Sequence, residues 1–295
     1  MILSRRDLMV AGVSAAGAAA GGALAGEQMR TRKIPRSGEE LPVIGMGTWR
    51  TFDTSERTAL IEVVRALLDA GGKAIDSSPM YGRSETTVGE VLRELGATWR
   101  AFLATKVWTS GREDGIAQMR ESIARMGRVD LMQIHNLVDW RTHAKTLRSW
   151  KENGTIRYWG ITHYALSAFE EMEAIVRAEK PDFVQLPYSV GVREAERRLL
   201  PACEASGVAV LVMRPFEGGS LFAEARKRPL PAWAGEIDCT SWAQLFLKFI
   251  LGHPAVTCPI PATANPAHMA DDMRAGFGRL PDEALRRRIV EEVTR

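Results

Sequence analysis

The sequence predicts an α/β protein whose parallel strands close into a (β/α)8 barrel, the TIM-barrel architecture. From residue 41 onwards, eight short apolar runs alternate with amphipathic stretches. In those stretches the apolar residues recur at three- and four-residue spacing, as in a helix with one buried face. Eight strand–helix units in about 250 residues fit a closed barrel better than an open sheet. No GxGxxG loop follows the first strand, which argues against a doubly wound open sheet.

The predicted elements follow one another along the chain without a linker. The strands are expected at residues 43–48, 74–77, 102–106, 131–135, 158–162, 183–186, 208–213 and 256–260. The helical patterns include residues 56–69, 85–95, 113–126, 165–179, 194–206 and 282–293. Glycines stand just past five helical runs, where a left-handed C-cap favours glycine, at Gly71, Gly96, Gly127, Gly154 and Gly207.

Two short segments before the first strand predict a β-hairpin that closes the bottom of the barrel. Residues 32–35 and 41–43 flank a Ser-Gly-Glu turn at residues 37–39. We find no internal repeat beyond the strand–helix alternation. Residues 27–295 are therefore expected to form a single domain.

Residues 1–26 have the pattern of a targeting segment. Arg5 and Arg6 precede an uncharged stretch rich in Ala, Gly and Val, which ends near Ala-Leu-Ala at residues 23–25. Paired arginines before such a stretch are typical of a twin-arginine export signal, and small-x-small is a signal-peptidase site. We expect a periplasmic or exported protein that is a client of the export machinery. An uncleaved anchor or tail is one alternative, and a cytoplasmic protein is another.

Charge and cysteine content exclude several classes of function. A net charge of +3, with basic and acidic residues interspersed, does not predict a nucleic-acid partner. Cys203, Cys239 and Cys258 lie far apart and form no CxxC or Cys/His ligand spacing. We therefore predict neither a disulfide framework nor a metal site.

Four polar residues stand at or just after the ends of successive predicted strands: Asp76, Tyr81, Lys106 and His135. Each has an ordinary interpretation when taken alone, such as a helix cap for the aspartate or a surface position for the lysine. In a (β/α)8 barrel, however, the carboxyl ends of all the strands meet at one mouth, where active sites lie. We expect the four side chains to converge there.

An acid, a phenol, an amine and an imidazole at one site can deliver a proton to a carbonyl oxygen. Tyr81 is the natural donor, although the pKa of a free phenol, near 10, is high for this task. A neighbouring Lys106 ammonium would lower that pKa, and Asp76 would orient the ammonium. His135 could hydrogen-bond the carbonyl oxygen and fix its direction. The pattern predicts carbonyl reduction.

The sequence resembles the aldo-keto reductase superfamily over residues 32–272. Four segments carry the resemblance: Gly-Met-Gly-Thr-Trp (45–49), Asp-Ser-Ser-Pro-Met-Tyr-Gly (76–82), Thr-Lys-Val-Trp (105–108) and Gln-Ile-His-Asn (133–136). They match the first-strand element and the Asp, Tyr, Lys and His elements of that family. Within the second segment, Ser77 and Ser78 stand where the family usually has Thr-Ala. The resemblance implies a barrel that binds NAD(P)H in an extended form across its mouth. We expect the protein to be a monomer.

The resemblance also implies contacts to that cofactor. Thr48 would meet the nicotinamide ribose, and Thr162 with His163 stands where Ser-Asn commonly holds the carboxamide. Gln185 would take the other carboxamide atom. Arg214 would bind the pyrophosphate, with an ion pair to Glu217 as the alternative. Tyr188 is a weaker candidate for stacking on the nicotinamide.

Residues 260–272 resemble the segment that holds the adenosine phosphate. Many NADPH-specific members have Lys where this chain has Ala262, and Arg where it has His268. Thr263, the helix N-terminus and a protonated His268 would still favour a phosphate. Asp272 would lie near the adenine. We therefore predict NADP(H) in preference to NAD(H), with weaker discrimination than the two cations would give.

Aromatic residues after the first strands predict the substrate pocket. Trp49 and Trp108 are expected to line the mouth, together with Met80 and Trp140. Aromatic walls suit an uncharged or lipophilic carbonyl compound, so we expect a small aldehyde or ketone. The alternative is that one or two of the tryptophans pack between a loop and the barrel.

Two functions remain open at this point. The preferred one is NAD(P)H-dependent reduction of an aldehyde or ketone to an alcohol, or the reverse. The alternative is an exported regulatory or scaffold protein that binds the nicotinamide cofactor with little turnover.

Overall fold

The computed structural model describes residues 27–294, so the predicted export signal at residues 1–26 lies outside the described residues. A two-stranded antiparallel ribbon comes first, and eight parallel strands follow. The strands are β1 (Thr31–Lys33), β2 (Glu40–Pro42), β3 (Met46–Gly47), β4 (Ala74–Asp76), β5 (Phe102–Val107), β6 (Leu131–His135), β7 (Tyr158–Thr162), β8 (Phe183–Pro187), β9 (Ala209–Met213) and β10 (Cys258–Pro259).

The eight parallel strands close into a barrel. Each strand from β3 to β10 pairs with the next one along the chain. At the seam, the Gly45 N–H donates to the Pro259 carbonyl at 3.1 Å, and the Gly47 N–H donates to that of Pro261 at 2.9 Å. A parallel bridge between Gly47 and Ala262 completes the join. The predicted (β/α)8 barrel is confirmed.

Helices connect the strands around the outside of the barrel. They are α1 (Thr58–Asp69), α2 (Ser84–Glu94), α3 (Arg112–Met126), α4 (Trp140–Glu152), α5 (Phe169–Glu179), α6 (Leu199–Ser206), α7 (Ser220–Ala225), α8 (Trp242–Leu251), α9 (Pro266–Arg274) and α10 (Glu283–Thr294). Two predicted helices begin with a 3-10 turn instead, at Leu166–Ala168 and Glu194–Arg197. The second turn is separated from α6 by the non-helical backbone of Arg198 (φ −143°, ψ −45°). The five predicted C-cap glycines all have φ between 60° and 90°.

The hairpin of β1 and β2 closes the bottom of the barrel, as predicted. Ile34 and Leu41, which lie at its inner face, are buried and join the cluster of side chains that fills the barrel interior. Phe102, Tyr158 and Phe183 lie in the same cluster, with ring centroids 5.5 to 5.8 Å apart. Aromatic packing at this end leaves the opposite end of the strands free for a site.

A second cluster of apolar side chains fills the space between the strands and the helices. In α1 the predicted apolar face is buried, through Leu60, Val63, Val64 and Leu67. Each such side chain contributes roughly 1.5 to 3 kcal/mol on burial. Within residues 27–294, no helix combines the length and the apolar character that a membrane span requires.

Candidate active site

The barrel brings the four predicted catalytic residues to one end of three neighbouring strands. Asp76 ends β4, Lys106 lies one residue before the end of β5, and His135 ends β6. Tyr81 lies in the loop between β4 and α2. Since β4, β5 and β6 are adjacent in the sheet, their carboxyl ends place these side chains together.

Lys106 and Asp76 form a fully enclosed ion pair. The Lys106 Nζ donates to Asp76 Oδ2 at 2.6 Å and to the Ser77 carbonyl oxygen at 2.7 Å, and neither side chain is more than 5% exposed. Burial lowers the pKa of Lys106, but the Asp76 carboxylate and the Tyr81 phenol outweigh it, so the pKa lies above its usual value. Lys106 is therefore an ammonium at neutral pH.

The second oxygen of Asp76 binds two glutamine side chains. Gln133 on β6 and Gln185 on β8 each donate to Asp76 Oδ1 at 2.9 Å. The Gln185 amide also lies 3.3 Å from Gln133 Oε1. Sequence reasoning assigned no role to Gln133. Gln133 lies two residues before His135 on the same strand, so both side chains point into the barrel. That spacing could have predicted a role for Gln133.

Tyr81 lies above the ion pair. The Lys106 Nζ is 5.0 Å from the centroid of the Tyr81 ring, and the Tyr81 and His135 rings meet edge to face at 6.0 Å. Burial raises the pKa of Tyr81, and the Lys106 ammonium opposes that effect without cancelling it. Lys106 lowers the pKa of Tyr81, as expected, but burial raises it by more, so the pKa lies above its usual value. The phenol keeps its proton at neutral pH.

His135 is neutral in this structure. Burial, followed by the positive charge of Lys106 and by His163, lowers the pKa of His135 to about 3. Its Nδ1 lies 3.1 Å from the Ser78 hydroxyl. The Trp108 ring lies 6.5 Å from its ring, centroid to centroid. A neutral imidazole can donate one hydrogen bond, which suits a group that contacts a carbonyl oxygen.

The residues predicted to hold the nicotinamide end of a cofactor lie at the same mouth. The Thr48 hydroxyl is 3.1 Å from the Asp76 carbonyl oxygen and therefore borders the cluster of predicted catalytic residues. The Thr162 hydroxyl is 3.4 Å from Gln185 Oε1. His163 Nδ1 accepts from the Ala165 N–H at 3.0 Å. When His163 is neutral, its proton is therefore on Nε2, which is left to donate.

Arg214 lies in the loop after β9 with φ 55° and an exposed side chain. The alternative ion pair with Glu217 is wrong, because no nitrogen of Arg214 lies within 4 Å of the Glu217 carboxylate; Glu217 Oε1 instead accepts from the Ser189 hydroxyl at 2.5 Å. Among residues 27–294, no carboxylate pairs with Arg214. An exposed guanidinium without a carboxylate partner is suited to bind a phosphate.

Three more of the predicted cofactor residues lie on or beside α9. Thr263 accepts from the Asn265 N–H at 3.0 Å, and Asn265 caps α9 by accepting from the Ala267 N–H at 2.9 Å. His268 is exposed in the first turn of that helix. Asp272 is buried, and burial followed by repulsion from Asp271 raises its pKa well above the usual value.

The side chains at this mouth fit an extended nicotinamide dinucleotide. Neutral donors lie beside the catalytic cluster, through Thr162 and His163, and match an amide. Arg214 supplies a cation in the loop after β9, and the N-terminus of α9 supplies a positive helix end. Within the part of the chain that the structure describes, no three His, Cys, Asp or Glu side chains are grouped so that they could hold a metal ion.

Large apolar side chains surround the mouth and stay accessible. Trp49, Trp108 and Met80 are 46%, 43% and 42% exposed. Trp140 is only half-buried, and its indole N–H donates to Glu171 at 3.2 Å. Rings exposed to this extent beside a buried polar cluster can form the walls of an open pocket.

Tyr188 does not lie at the mouth. Its ring packs against Phe249 on the outer side of the barrel, and its hydroxyl contacts Glu196 and Arg286. The predicted stacking on a nicotinamide ring is therefore wrong. Strand alternation explains the placement, because Gln185 points inwards and Tyr188, three residues further on, points outwards.

The chain matches the model of the aldo/keto reductase family over residues 43–289, which is most of its length. Among curated proteins it is 28% identical over 254 residues to methylglyoxal reductase YeaE of Escherichia coli (strain K12), covering 82% of this chain and 88% of the relative. It is 27% identical over 233 residues to the glyoxal reductase of Bacillus subtilis (strain 168), with 76% and 79% covered.

Solved structures share the fold. An aldo-keto reductase from Klebsiella pneumoniae in complex with NADPH superimposes with a TM-score of 0.75 at 23% identity, covering 90% of this chain and 95% of that one. A second structure from Klebsiella pneumoniae, in complex with NADP and acetate, gives 0.74 at 24% identity, with 87% and 93% covered. The family match, together with the barrel, shows that this chain belongs to the aldo/keto reductase family and is an NAD(P)H-dependent oxidoreductase.

Proposed function

We propose that this protein reduces a small aldehyde or ketone to its alcohol, or runs the reverse reaction, with Tyr81 as the general acid. The observation that carries the proposal is the buried Lys106–Asp76 ion pair directly beneath the Tyr81 ring, next to a neutral His135. The nicotinamide cofactor, when bound, supplies the hydride that the carbonyl carbon accepts. The side chains of the protein donate the proton and orient the carbonyl group.

The proton comes from the Tyr81 hydroxyl. When Tyr81 gives its proton to the carbonyl oxygen, the phenolate that remains lies next to the Lys106 ammonium, which compensates its charge. Asp76 fixes the position of that ammonium through the 2.6 Å contact. His135, being neutral, donates a hydrogen bond to the same carbonyl oxygen and directs it towards Tyr81.

The cofactor in this proposal lies across the mouth, from the catalytic cluster to α9. Thr162, His163 and Gln185 hold the carboxamide, and Thr48 borders the ribose. Arg214 binds the phosphates. The two Klebsiella pneumoniae structures, in complex with NADP and with NADPH, support NADP(H) as the preferred form.

The phosphate that distinguishes NADP(H) from NAD(H) is proposed to lie at the start of α9. Thr263, His268 and the helix N-terminus are the groups that would bind it. Asp272, whose pKa burial raises well above its usual value, would face the adenine. With no lysine or arginine at residues 262 and 268, we expect a modest preference for NADPH.

The substrate pocket is proposed to be bounded by Trp49 and Trp108, whose exposed rings favour uncharged carbonyl compounds. Two relatives are named for methylglyoxal and glyoxal, which are small reactive aldehydes. Those names support the same substrate size for this chain. Methylglyoxal is the first compound to assay.

Tyr81→Phe tests the assignment of the general acid. We expect kcat for methylglyoxal reduction to fall at least about a hundredfold, because a positioned acid contributes that much or more. The Kd for NADPH, followed by fluorescence quenching, should stay unchanged. Tyr158→Phe is the matched control, since the Tyr158 hydroxyl bonds Ser37 and Glu39 at the bottom of the barrel.

Three outcomes of these assays have distinct meanings. A fully active Tyr81→Phe protein would contradict the mechanism. NADPH binding by the unaltered protein without oxidation, across a panel of aldehydes and ketones, would favour the cofactor-binding regulatory or scaffold protein. Repeating the titration with NADH measures the cofactor preference, and tighter binding of NADH would overturn the choice of NADP(H).

A further inference from the structure

Ser78 touches the catalytic histidine from a position without access to solvent. It lies in the loop between β4 and Tyr81, and its side chain is fully buried. Its hydroxyl oxygen is 3.1 Å from His135 Nδ1 and accepts from the Met80 N–H at 3.4 Å.

The hydrogen bond between Ser78 and His135 has one direction that satisfies both groups. A neutral imidazole has one N–H and one bare nitrogen. If Nδ1 donated to Ser78, the serine proton would have no acceptor among residues 27–294, and a buried unpaired hydroxyl is unfavourable. If Ser78 donates to Nδ1, its oxygen still accepts from Met80 and every group is paired. The imidazole proton is then on Nε2.

We propose that Ser78 is a positioning residue that holds His135 in the Nε2–H tautomer, so that Nε2–H is available to the carbonyl oxygen of the substrate. The effect on turnover rests on the proposed function, whereas the tautomer itself does not. Ser78 does not touch the reacting atoms in this proposal. It acts through His135 alone.

The tautomer can be measured directly on the full chain with ¹⁵N-labelled histidine. Protonated and bare ring nitrogens differ widely in ¹⁵N chemical shift. The chain has five histidines, so the resonances of His135 are assigned by their loss in His135→Gln. We expect a bare Nδ1 and a protonated Nε2 at pH 7. A protonated Nδ1 in the unaltered protein would overturn the proposal.

Ser78→Ala removes the donor without adding volume. We expect the His135 resonances to shift towards a mixture of the two tautomers, and kcat for methylglyoxal to fall roughly three- to tenfold, the range for one neutral hydrogen bond. The Kd for NADPH should stay constant. Ser122→Ala is the matched control, because Ser122 is a buried serine on α3 whose hydroxyl has no partner in the described chain.

The two measurements separate this proposal from the proposed function. If the unaltered protein turns over no carbonyl compound, the ¹⁵N shifts of the unaltered and Ser78→Ala proteins still decide whether Ser78 sets the tautomer. An unchanged His135 spectrum in a folded Ser78→Ala protein contradicts the positioning role, whatever the activity is.

Discussion

Lys106 is the unusual residue of this site, because its charged ammonium is inaccessible to solvent. Lys106 stays charged because Asp76, the Ser77 carbonyl and the Tyr81 ring surround its Nζ. Removing one partner of such a pair leaves an uncompensated buried charge, which is strongly destabilising. The proposed proton donation by Tyr81 and the stability of the barrel mouth therefore depend on the same atoms.

The pKa of His135 predicts how stability depends on pH. The folded protein holds this imidazole neutral down to about pH 3, whereas the unfolded chain protonates it below about pH 6.5. The unfolded state thus binds the extra proton between these values. The contribution of His135 to the free energy of unfolding should be complete above pH 6.5. It should fall as the pH decreases, by at most about 1.4 kcal/mol per pH unit.

Urea denaturation at pH 7.5 and pH 5 measures the effect. His135→Gln should lose less stability than the unaltered protein over this interval, because it lacks the titrating group. His268→Gln is the matched control, since that side chain is exposed and solvated in both states. Identical losses in the unaltered and His135→Gln proteins would show that His135 is not held neutral.

Residue types at strand ends were predictable from the sequence, but hydrogen-bond partners were not. Asp76, Lys106 and His135 stand out because they lie at the ends of three successive apolar runs, and the carboxyl ends of the strands meet at one mouth in a (β/α)8 barrel. Gln133 lies inside such a run and Ser78 inside a loop, so neither pattern indicates a role. The direction in which the pKa of Tyr81 shifts could not be predicted either. Burial outweighs the effect of Lys106, and the extent of burial depends on the packing of the whole mouth.

Among the secondary-structure elements, the two at the barrel seam are the shortest parallel strands. The sequence predicts runs of five or six residues there, whereas β3 and β10 span two residues each. The rest of each run is extended chain that bonds through single contacts such as Gly45 to Pro259. The periodicity of a run gives its direction and its inward face, but the extent of ladder pairing depends on how the sheet curves to close.

Gly45→Ala should destabilise the barrel at this seam. An added Cβ would lie 2.8 Å from both the Cβ and the carbonyl oxygen of Ala74, and 3.2 Å from Cys258 Sγ. Overpacking of this kind costs about 1 to 3 kcal/mol. Chemical denaturation should report that loss. Gly235→Ala is the control, because a Cβ there meets nothing within 4 Å, and equal stability of the two variants would contradict the tight seam.

The loop between β6 and α4 is the most distorted connection at the mouth. Asn136, Leu137 and Asp139 all have positive φ, between 45° and 56°, although none is a glycine. Asn and Asp adopt positive φ more readily than most residues, whereas Leu137 does so only where its surroundings impose it. The loop directly follows His135, so its unusual backbone fixes the chain path beside the site.

For the molecule as a whole, we propose export of the folded protein through the paired arginines at its N-terminus. A variant with Arg5→Lys and Arg6→Lys keeps the charge but loses the motif. The unaltered protein should appear in the periplasmic or external fraction, and the double variant should remain in the cytoplasm. Fractionation followed by immunoblotting makes the comparison. A cytoplasmic location for both proteins would support the alternative that the arginine pair is fortuitous.

The hydrogen bonds of Asp76 have a consequence for how this protein can diverge. Its carboxylate joins β4 to β5, β6 and β8 through Lys106, Gln133 and Gln185. Under the proposed mechanism, a change in any of these residues alters catalysis and folding together, so selection should tolerate few substitutions there. The exposed tryptophans at the mouth do not belong to this hydrogen-bond network. If these tryptophans bound the substrate pocket as proposed, new substrates can evolve by exchange of Trp49 or Trp108 while the chemistry beneath them is inherited unchanged.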